Sequence, residues 1–246
     1  MSTVLLIGGS DPSGGAGVLR DALTVHTLGG EVLCALTAVT AQSDRTFLRS
    51  ATLPPELVRA QLEAACATRP PAAVKIGMLG SAAVVEAVLG SFGLWGHAPV
   101  VLDPVLESSS GGTLLDEEGR ERLRRDLLPR VTLLTPNVAE AAALLRCAPA
   151  GDVTALEQQA AALGALGARA VLMKGGHLAG LEAIDVLWQV GAAPLRLGAV
   201  RLAQGRRGTG CALASAIAAC LAQGLPLAAA CTRAKHFITQ HIQHAP

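Results

Sequence analysis

A glycine-rich turn, Gly208-Thr209-Gly210-Cys211, runs directly into the apolar stretch from Cys211 to Ala222. At the start of a helix the first backbone N–H groups lack intrahelical partners and the dipole is positive, so such a turn favours an anion, and its glycines let a phosphate approach the backbone. Cys211 gains a second reading from its position. A helix N-terminus can draw a thiol pKa down to about 3.5–7.5, which would supply thiolate as base or nucleophile at neutral pH. Lys174 ends an apolar run and precedes Gly175-Gly176, a place suited to a cation that neutralises a transferring phosphate. The bland alternative for the turn is a connection that feeds a core helix.

These residues need elements to position them. Short β-branched or leucine-rich runs at 3–8, 31–39, 73–77, 98–102, 131–135 and 169–173 alternate with helical periods at 15–28, 55–68, 81–91, 117–128, 137–146 and 154–166. That alternation predicts βαβ units around a mostly parallel sheet. Pro55, Ser81 and Asn137 are start signals for three of the helices. Two further helices are predicted over 209–223 and 227–243, separated by Gly224-Leu225-Pro226. From Leu181 to Leu202 two apolar runs flank Gly191-Ala192-Ala193-Pro194 with no helix between, which predicts an antiparallel hairpin at the sheet edge. Several strands end in clusters of the same kind: GGSDPSGGAG, GML, DPV, TPN and KGGH. In open parallel sheets ligands bind beyond the carboxyl ends of strands, so these loops should converge on one crevice.

Composition limits the partners. The chain has 246 residues, 51% apolar, with 20 Lys+Arg against 19 Asp+Glu. A chain of that length buries roughly 70–75% of its unfolded surface, so a single domain over residues 1–246 is expected. A net charge of +1 without a basic run gives no footprint for nucleic acid or an anionic membrane. No apolar stretch reaches the ~18 consecutive residues of a membrane span. Cys34, Cys66, Cys147, Cys211, Cys220 and Cys231 are scattered without metal-ligand spacing, and the N-terminus lacks a basic leader, so a cytoplasmic protein with reduced thiols is expected.

Seven blocks in order carry a resemblance: IGGSDPSGGAG at the start, LTAVTAQ ending at Gln42, KIGML at 75–79, VLDPV at 101–105, LLTPNVAEAAALL at 133–145, VLMKGGHL at 171–178 and GTGCALASAIAA at 208–219. They resemble the hydroxymethylpyrimidine/phosphomethylpyrimidine kinases of thiamine synthesis over about residues 4 to 240. The resemblance implies a ribokinase-like three-layer α/β/α sandwich with an edge hairpin, a small pyrimidine as acceptor, ATP and Mg²⁺ as cofactors, and a homodimer. It assigns the proton-accepting role to Cys211 within the Gly208-Thr209-Gly210 turn. Substrate contacts fall on Asp21, Gln42, Met78 and Val105, and nucleotide contacts on Asn137, Lys174, Thr209 and Arg207. Asp103 and Glu140 fall where this fold arranges Mg²⁺ around nucleotide phosphates. These types fit the chemistry. The Gln42 amide offers donor and acceptor to an aminopyrimidine edge, Met78 a polarizable contact to its face, and the carboxylates hard ligands. For Glu140, a plain first-turn acid behind an Asn cap is the alternative.

Two stretches depart from the family pattern. After DPV the chain reads Glu107-Ser108-Ser109-Ser110-Gly111, and Ala203-Gln204-Gly205-Arg206-Arg207 leads into the glycine turn. Arg206 or Arg207 is the expected replacement cation, since a guanidinium fork binds phosphate oxygens in pairs. Pyridoxine/pyridoxal kinase and a catalytically weak pyrimidine-binding regulator of the same fold remain alternatives. A dinucleotide oxidoreductase is disfavoured, because no GxGxxG follows the first strand and GGSDPSGGAG puts a carboxylate where a pyrophosphate would have to sit.

Overall fold

Strands buried on both faces run as continuous apolar segments, because every second side chain enters a different core. The computed structural model describes residues 2–43, 46–108, 111–176, 178, 180–201 and 208–243, without the side chains of 241–243. Arg206 and Arg207 lie outside the described residues. The strands are β1 (Thr3–Ser10), β2 (Glu31–Gln42), β3 (Phe47–Thr52), β4 (Ala73–Ile76), β5 (Val100–Leu102), β6 (Leu133–Leu134), β7 (Ala170–Met173), β8 (Glu182–Gln189) and β9 (Leu195–Val200). They form one sheet in the order β3-β2-β1-β4-β5-β6-β7-β8-β9. From β2 across to β7 the neighbours are parallel; β3, β8 and β9 join antiparallel.

The helices are α1 (Gly17–Thr27), α2 (Pro55–Cys66), α3 (Ala82–Gly90), α4 (Glu117–Arg122), α5 (Val138–Leu145), α6 (Val153–Ala165), α7 (Thr209–Ala222) and α8 (Leu227–Gln243). Leu5, Ile7, Val74, Ile76, Leu102 and Leu134 face one core, completed by side chains of α2, α3, α5 and α6. Val4, Leu6, Ala73, Val101, Leu133 and Leu172 face the other, against α7 and α8. The three-layer arrangement and the edge hairpin are as expected. The starts at Ser81 and Asn137 are also borne out, each side chain accepting a backbone N–H of its helix's first turn.

Two differences matter. The second strand was expected to stop at residue 39, yet it continues to Gln42 and pairs with β3, which the apolar pattern does not announce. β3 is an edge strand whose residues after Phe47 are all exposed, so neither face imposes alternation. The helix expected over 117–128 is broken into α4, a π-turn at Leu123–Leu127 and a 3-10 turn at Leu128–Arg130, since Pro129 supplies no N–H to continue it.

Chain order reverses at β1, with β2 on one side and β4 on the other. Such a switch point separates the loops leaving adjacent strands and opens a crevice at their carboxyl ends. The crevice here is lined by Gly8 to Asp11 at the carboxyl end of β1, by Thr40 and Gln42 of β2, and by Met78 after β4.

Candidate active site

Asp21 lies on α1 and points into the molecule, where it meets Lys75 of β4 at 2.7 Å. The two side chains are 1% and 2% exposed, so each needs the other: an isolated buried charge costs far more than its pairing recovers. Ser215 on α7 donates to the second Asp21 oxygen at 2.8 Å. Thr37 Oγ1 donates to Met78 O at 2.5 Å and Thr40 Oγ1 to Ser10 O at 3.0 Å, tying the loops after β1 and β4 to β2. The crevice encloses about 430 Å³ of space outside protein atoms, part of it open to solvent. Asp21, Gln42, Met78 and Val105, the four expected substrate contacts, all line it, together with Cys211. Gln42 Oε1 is buried with no hydrogen-bond partner among the described residues, a state that calls for a donor beyond them.

The second half of the site adjoins the first at Cys211. Gly208 caps α7 at φ 77°, and a Cβ there would overlap Gly15 O, so only glycine fits. No side chain among the described residues caps the helix from Gly208, which leaves the first-turn amides beginning at Thr209 available. The turn stands beside Lys174: a Cβ on Gly210 would be 3.1 Å from Lys174 Nζ. Lys174 Nζ donates to Asp103 Oδ1 at 2.8 Å and lies 3.7 Å from Glu140 Oε2. Asn137 and Lys174 form a parallel β-bridge beyond the ends of β6 and β7, and Lys174 N–H donates to Pro136 O at 2.8 Å. That bridge carries the start of α5 to the ammonium. Asn137 Oδ1 accepts Glu140 N–H at 2.9 Å, and Glu140 Oε2 accepts Asn137 N–H at 2.7 Å. Glu140 is therefore both the capping-box acid and a neighbour of Lys174.

Electrostatics overturn one expectation. Burial pushes the Cys211 thiol up to about 12; Asp103 and Asp21 push the same way, and the opposing pull of Lys75 and Lys174 is insufficient. The sulfur is a thiol at neutral pH, and it stands near enough to Asp103 to help hold that carboxyl down. The helix terminus does not make a thiolate here. Burial opposes the charge on Asp103, but Lys174 and Lys75 outweigh it and hold the carboxyl below its usual range. Burial likewise opposes the charge on Lys174, yet Asp103 and Glu140 keep the ammonium above the ordinary lysine range.

Glu140 goes the other way. Burial and then Asp103 raise its carboxyl to about 7, against the lowering by Lys174. A folded-state pKa above the unfolded value means stability that is complete below pH 4.5 and is lost as pH rises towards 7. Glu140→Gln should remove that loss. In metal-free buffer, the melting temperature of the variant relative to the parent should rise by roughly 5 °C between pH 4.5 and 7.5, measured by calorimetry.

Lys75 and Ser215 belong to the site and were not singled out from the sequence. Lys75 did carry a signal, since a lysine between Val74 and Ile76 in a buried strand must meet an anion. Ser215 carried none, sitting as it does among the alanines of α7.

Among the described residues no helix is long and apolar enough to cross a membrane. The hydroxymethylpyrimidine/phosphomethylpyrimidine kinase of Rhizobium meliloti is 40% identical over 242 residues, covering 98% of this chain and 90% of that protein. The thiamine biosynthesis bifunctional protein ThiED of Geobacter sulfurreducens is 41% identical over 244 residues, 99% of this chain; the chain spans 49% of that longer protein. Two solved structures share the ribokinase-like fold. The phosphomethylpyrimidine kinase from Clostridium difficile aligns with a TM-score of 0.85 at 33% identity, covering 98% of this chain and 100% of that one. The pyridoxal kinase from Staphylococcus aureus in complex with AMP-PCP and pyridoxal aligns with 0.90 at 29% identity, covering 99% and 88%. The profile described as phosphomethylpyrimidine kinase matches residues 11–246. With that profile and these relatives, the chain belongs to the phosphomethylpyrimidine kinase family of phosphotransferases.

Proposed function

We propose that this chain, acting as one kinase domain, transfers the γ-phosphoryl group of ATP to the hydroxymethyl oxygen of 4-amino-5-hydroxymethyl-2-methylpyrimidine, and then to the resulting monophosphate. The observation that carries the reading is the continuity of the two half-sites: Cys211 lines the crevice with Gln42, and its neighbour Gly210 stands against Lys174, which is paired with Asp103. Gln42 Oε1, buried and unpartnered among the described residues, accepts the ring amino group. Met78 packs on the ring face and Val105 on its edge. Asp21, held by Lys75 and Ser215, takes a further donor of the substrate.

Phosphoryl transfer passes through a loose transition state, so positioning and charge neutralisation supply most of the acceleration. The amides of the first turn from Thr209, together with Lys174, hold the transferring oxygens, and Asn137 orients the nucleotide phosphates. The alcohol oxygen bonds to the γ-phosphorus as the bond to the leaving ADP oxygen breaks. Its proton passes to the sulfur of Cys211 while the thiol proton passes to an oxygen of the phosphoryl group being transferred. Asp103 and Glu140 both reach Lys174 Nζ, at 2.8 and 3.7 Å, and would be the carboxylates that hold a cation next to it. Two carboxylates suit Mg²⁺, which keeps several waters and takes phosphate oxygens besides; when bound it would offset charge on the phosphates. No group of three or more His, Cys, Asp or Glu among the described residues could hold a metal alone. Arg207 is retained as a further phosphate-neutralising cation.

In the second transfer the acceptor is already an anion and needs no base. Cys211→Ala should therefore lower the rate of the first transfer about 10²-fold and spare the second; equal losses in both would remove Cys211 from the proton path. The deciding experiment is product analysis with ATP and Mg²⁺ and, in separate reactions, the pyrimidine alcohol, its monophosphate and pyridoxal. Pyridoxal phosphorylation is the second reading, supported by the likeness to the Staphylococcus aureus pyridoxal kinase. A preferred turnover of pyridoxal would favour it, and binding without turnover would favour a regulator. The proposal includes a cytoplasmic location, consistent with six free thiols. It also includes a homodimer, for which exposed Leu195 and Val200 on the β8–β9 hairpin offer apolar surface.

A further inference from the structure

The backbone beyond Lys174 is fixed by groups that touch no reacting atom. Gly175 N–H donates to Asp185 Oδ1 at 3.0 Å, and Asp185 Oδ2 accepts Lys235 Nζ at 2.7 Å. Asp185 is a buried residue of β8, and Lys235 reaches it from α8. Gly175 is pressed against the same strand, since a Cβ there would overlap Ile184 O and stand 2.9 Å from Leu156 Cδ1. On the far side, the Arg201 guanidinium donates to the carbonyls of Gly176, Gly180 and Glu182, the last two at 2.8 and 3.0 Å.

A charged pair inside a strand-to-helix packing layer is costly, and apolar residues of similar volume would fill the space at least as well. The ladders of β8 to β7 and β9 use its backbone alone. What the Asp185 carboxylate adds is a fixed acceptor for the peptide immediately after Lys174. A lysine has four rotatable side-chain bonds, so its ammonium is only as well placed as the backbone from which it swings, and a displacement of 1 Å can cost about 10²-fold in rate.

We propose that Asp185, with its charge balanced by Lys235, is a positioning residue for phosphoryl transfer: it anchors the Gly175 peptide and thereby holds Lys174 Nζ between Asp103, Glu140 and the turn that opens α7. This rests on the role given to Lys174 above.

The test is a double-mutant cycle read in kcat, using the full chain with ATP, Mg²⁺ and the pyrimidine alcohol. Asp185→Asn with Lys235→Met keeps an oxygen for Gly175 N–H, and its kcat should stay within about threefold of the parent. Asp185→Val with Lys235→Met removes that oxygen, and kcat should fall about 10–100-fold with KM for the alcohol changed by no more than about twofold. If the valine pair does not fold, Asp185→Ala with Lys235→Met takes its place. Placed on Lys174→Met, the same pair should have almost no further effect, because the group it positions is gone. An undiminished loss in the Lys174→Met background, or equal rates for the asparagine and valine pairs, overturns the positioning role. A Lys174→Met enzyme that turns over at the parental rate overturns the role of Lys174 itself, and the positioning role with it.

Discussion

Lys174→Met lowers kcat for both transfers by about 10²–10³-fold, the usual loss when one preorganised donor to a developing charge is removed. Steady-state assays with each acceptor measure it. The size follows from the surroundings. Lys174 is 13% exposed and donates to Asp103 at 2.8 Å with Glu140 at 3.7 Å, so the variant loses the ammonium that sits between these two carboxylates. The two carboxylates then face the phosphates with less positive charge to offset them, and the second transfer, with an acceptor that is itself anionic, should suffer more than the first. Lys174→Arg restores charge without the compact ammonium and recovers only part of the rate. Parental rates in Lys174→Met would remove phosphate neutralisation from this residue.

The largest expected effect on stability belongs to Lys75→Met. The Lys75–Asp21 pair is inaccessible to solvent at both ends, and removing one member of a buried pair costs about 3–5 kcal/mol, roughly 6–20 °C in melting temperature for a chain of this size. Burial already raises the Asp21 carboxyl, with Lys75 pulling it down. Without the lysine the carboxyl rises further. The folded variant then prefers protonated Asp21, so its deficit is small below pH 3.8 and grows as pH rises. Asp21→Asn combined with Lys75→Met leaves no charge at this pair and should recover most of the loss. Melting curves of the two variants between pH 3.5 and 7.5 check both statements; a deficit independent of pH would mean that lost packing, and not the stranded carboxylate, is responsible.

Much of this was legible before any coordinates. Val4-Leu5-Leu6-Ile7 and its counterparts are continuous apolar runs because both sheet faces are covered, and the helices between them leave few topologies. The four pocket residues were legible only as a set, through the family blocks that contain them; Gln42 or Met78 alone would pass for a loop amide or a core side chain. What escaped did so for physical reasons. β3 has no buried face to write a pattern. Ser215 is a small residue in a small-residue helix, and only the fold brings it to Asp21, 194 positions away. The Cys211 pKa was misjudged because a helix terminus is visible in sequence, whereas the burial and the two carboxylates that outweigh it are assembled from α1, α7 and the end of β5.

The protonated sulfur at the heart of this crevice has a consequence for the cell that carries it. Peroxides and other electrophiles attack thiolates far faster than thiols, so a cysteine kept in its neutral form resists sulfenylation even where it stands next to the reacting atoms. In this fold Cys211 should therefore react with hydrogen peroxide more slowly than a low-pKa cysteine does, for as long as the burial that keeps it neutral persists.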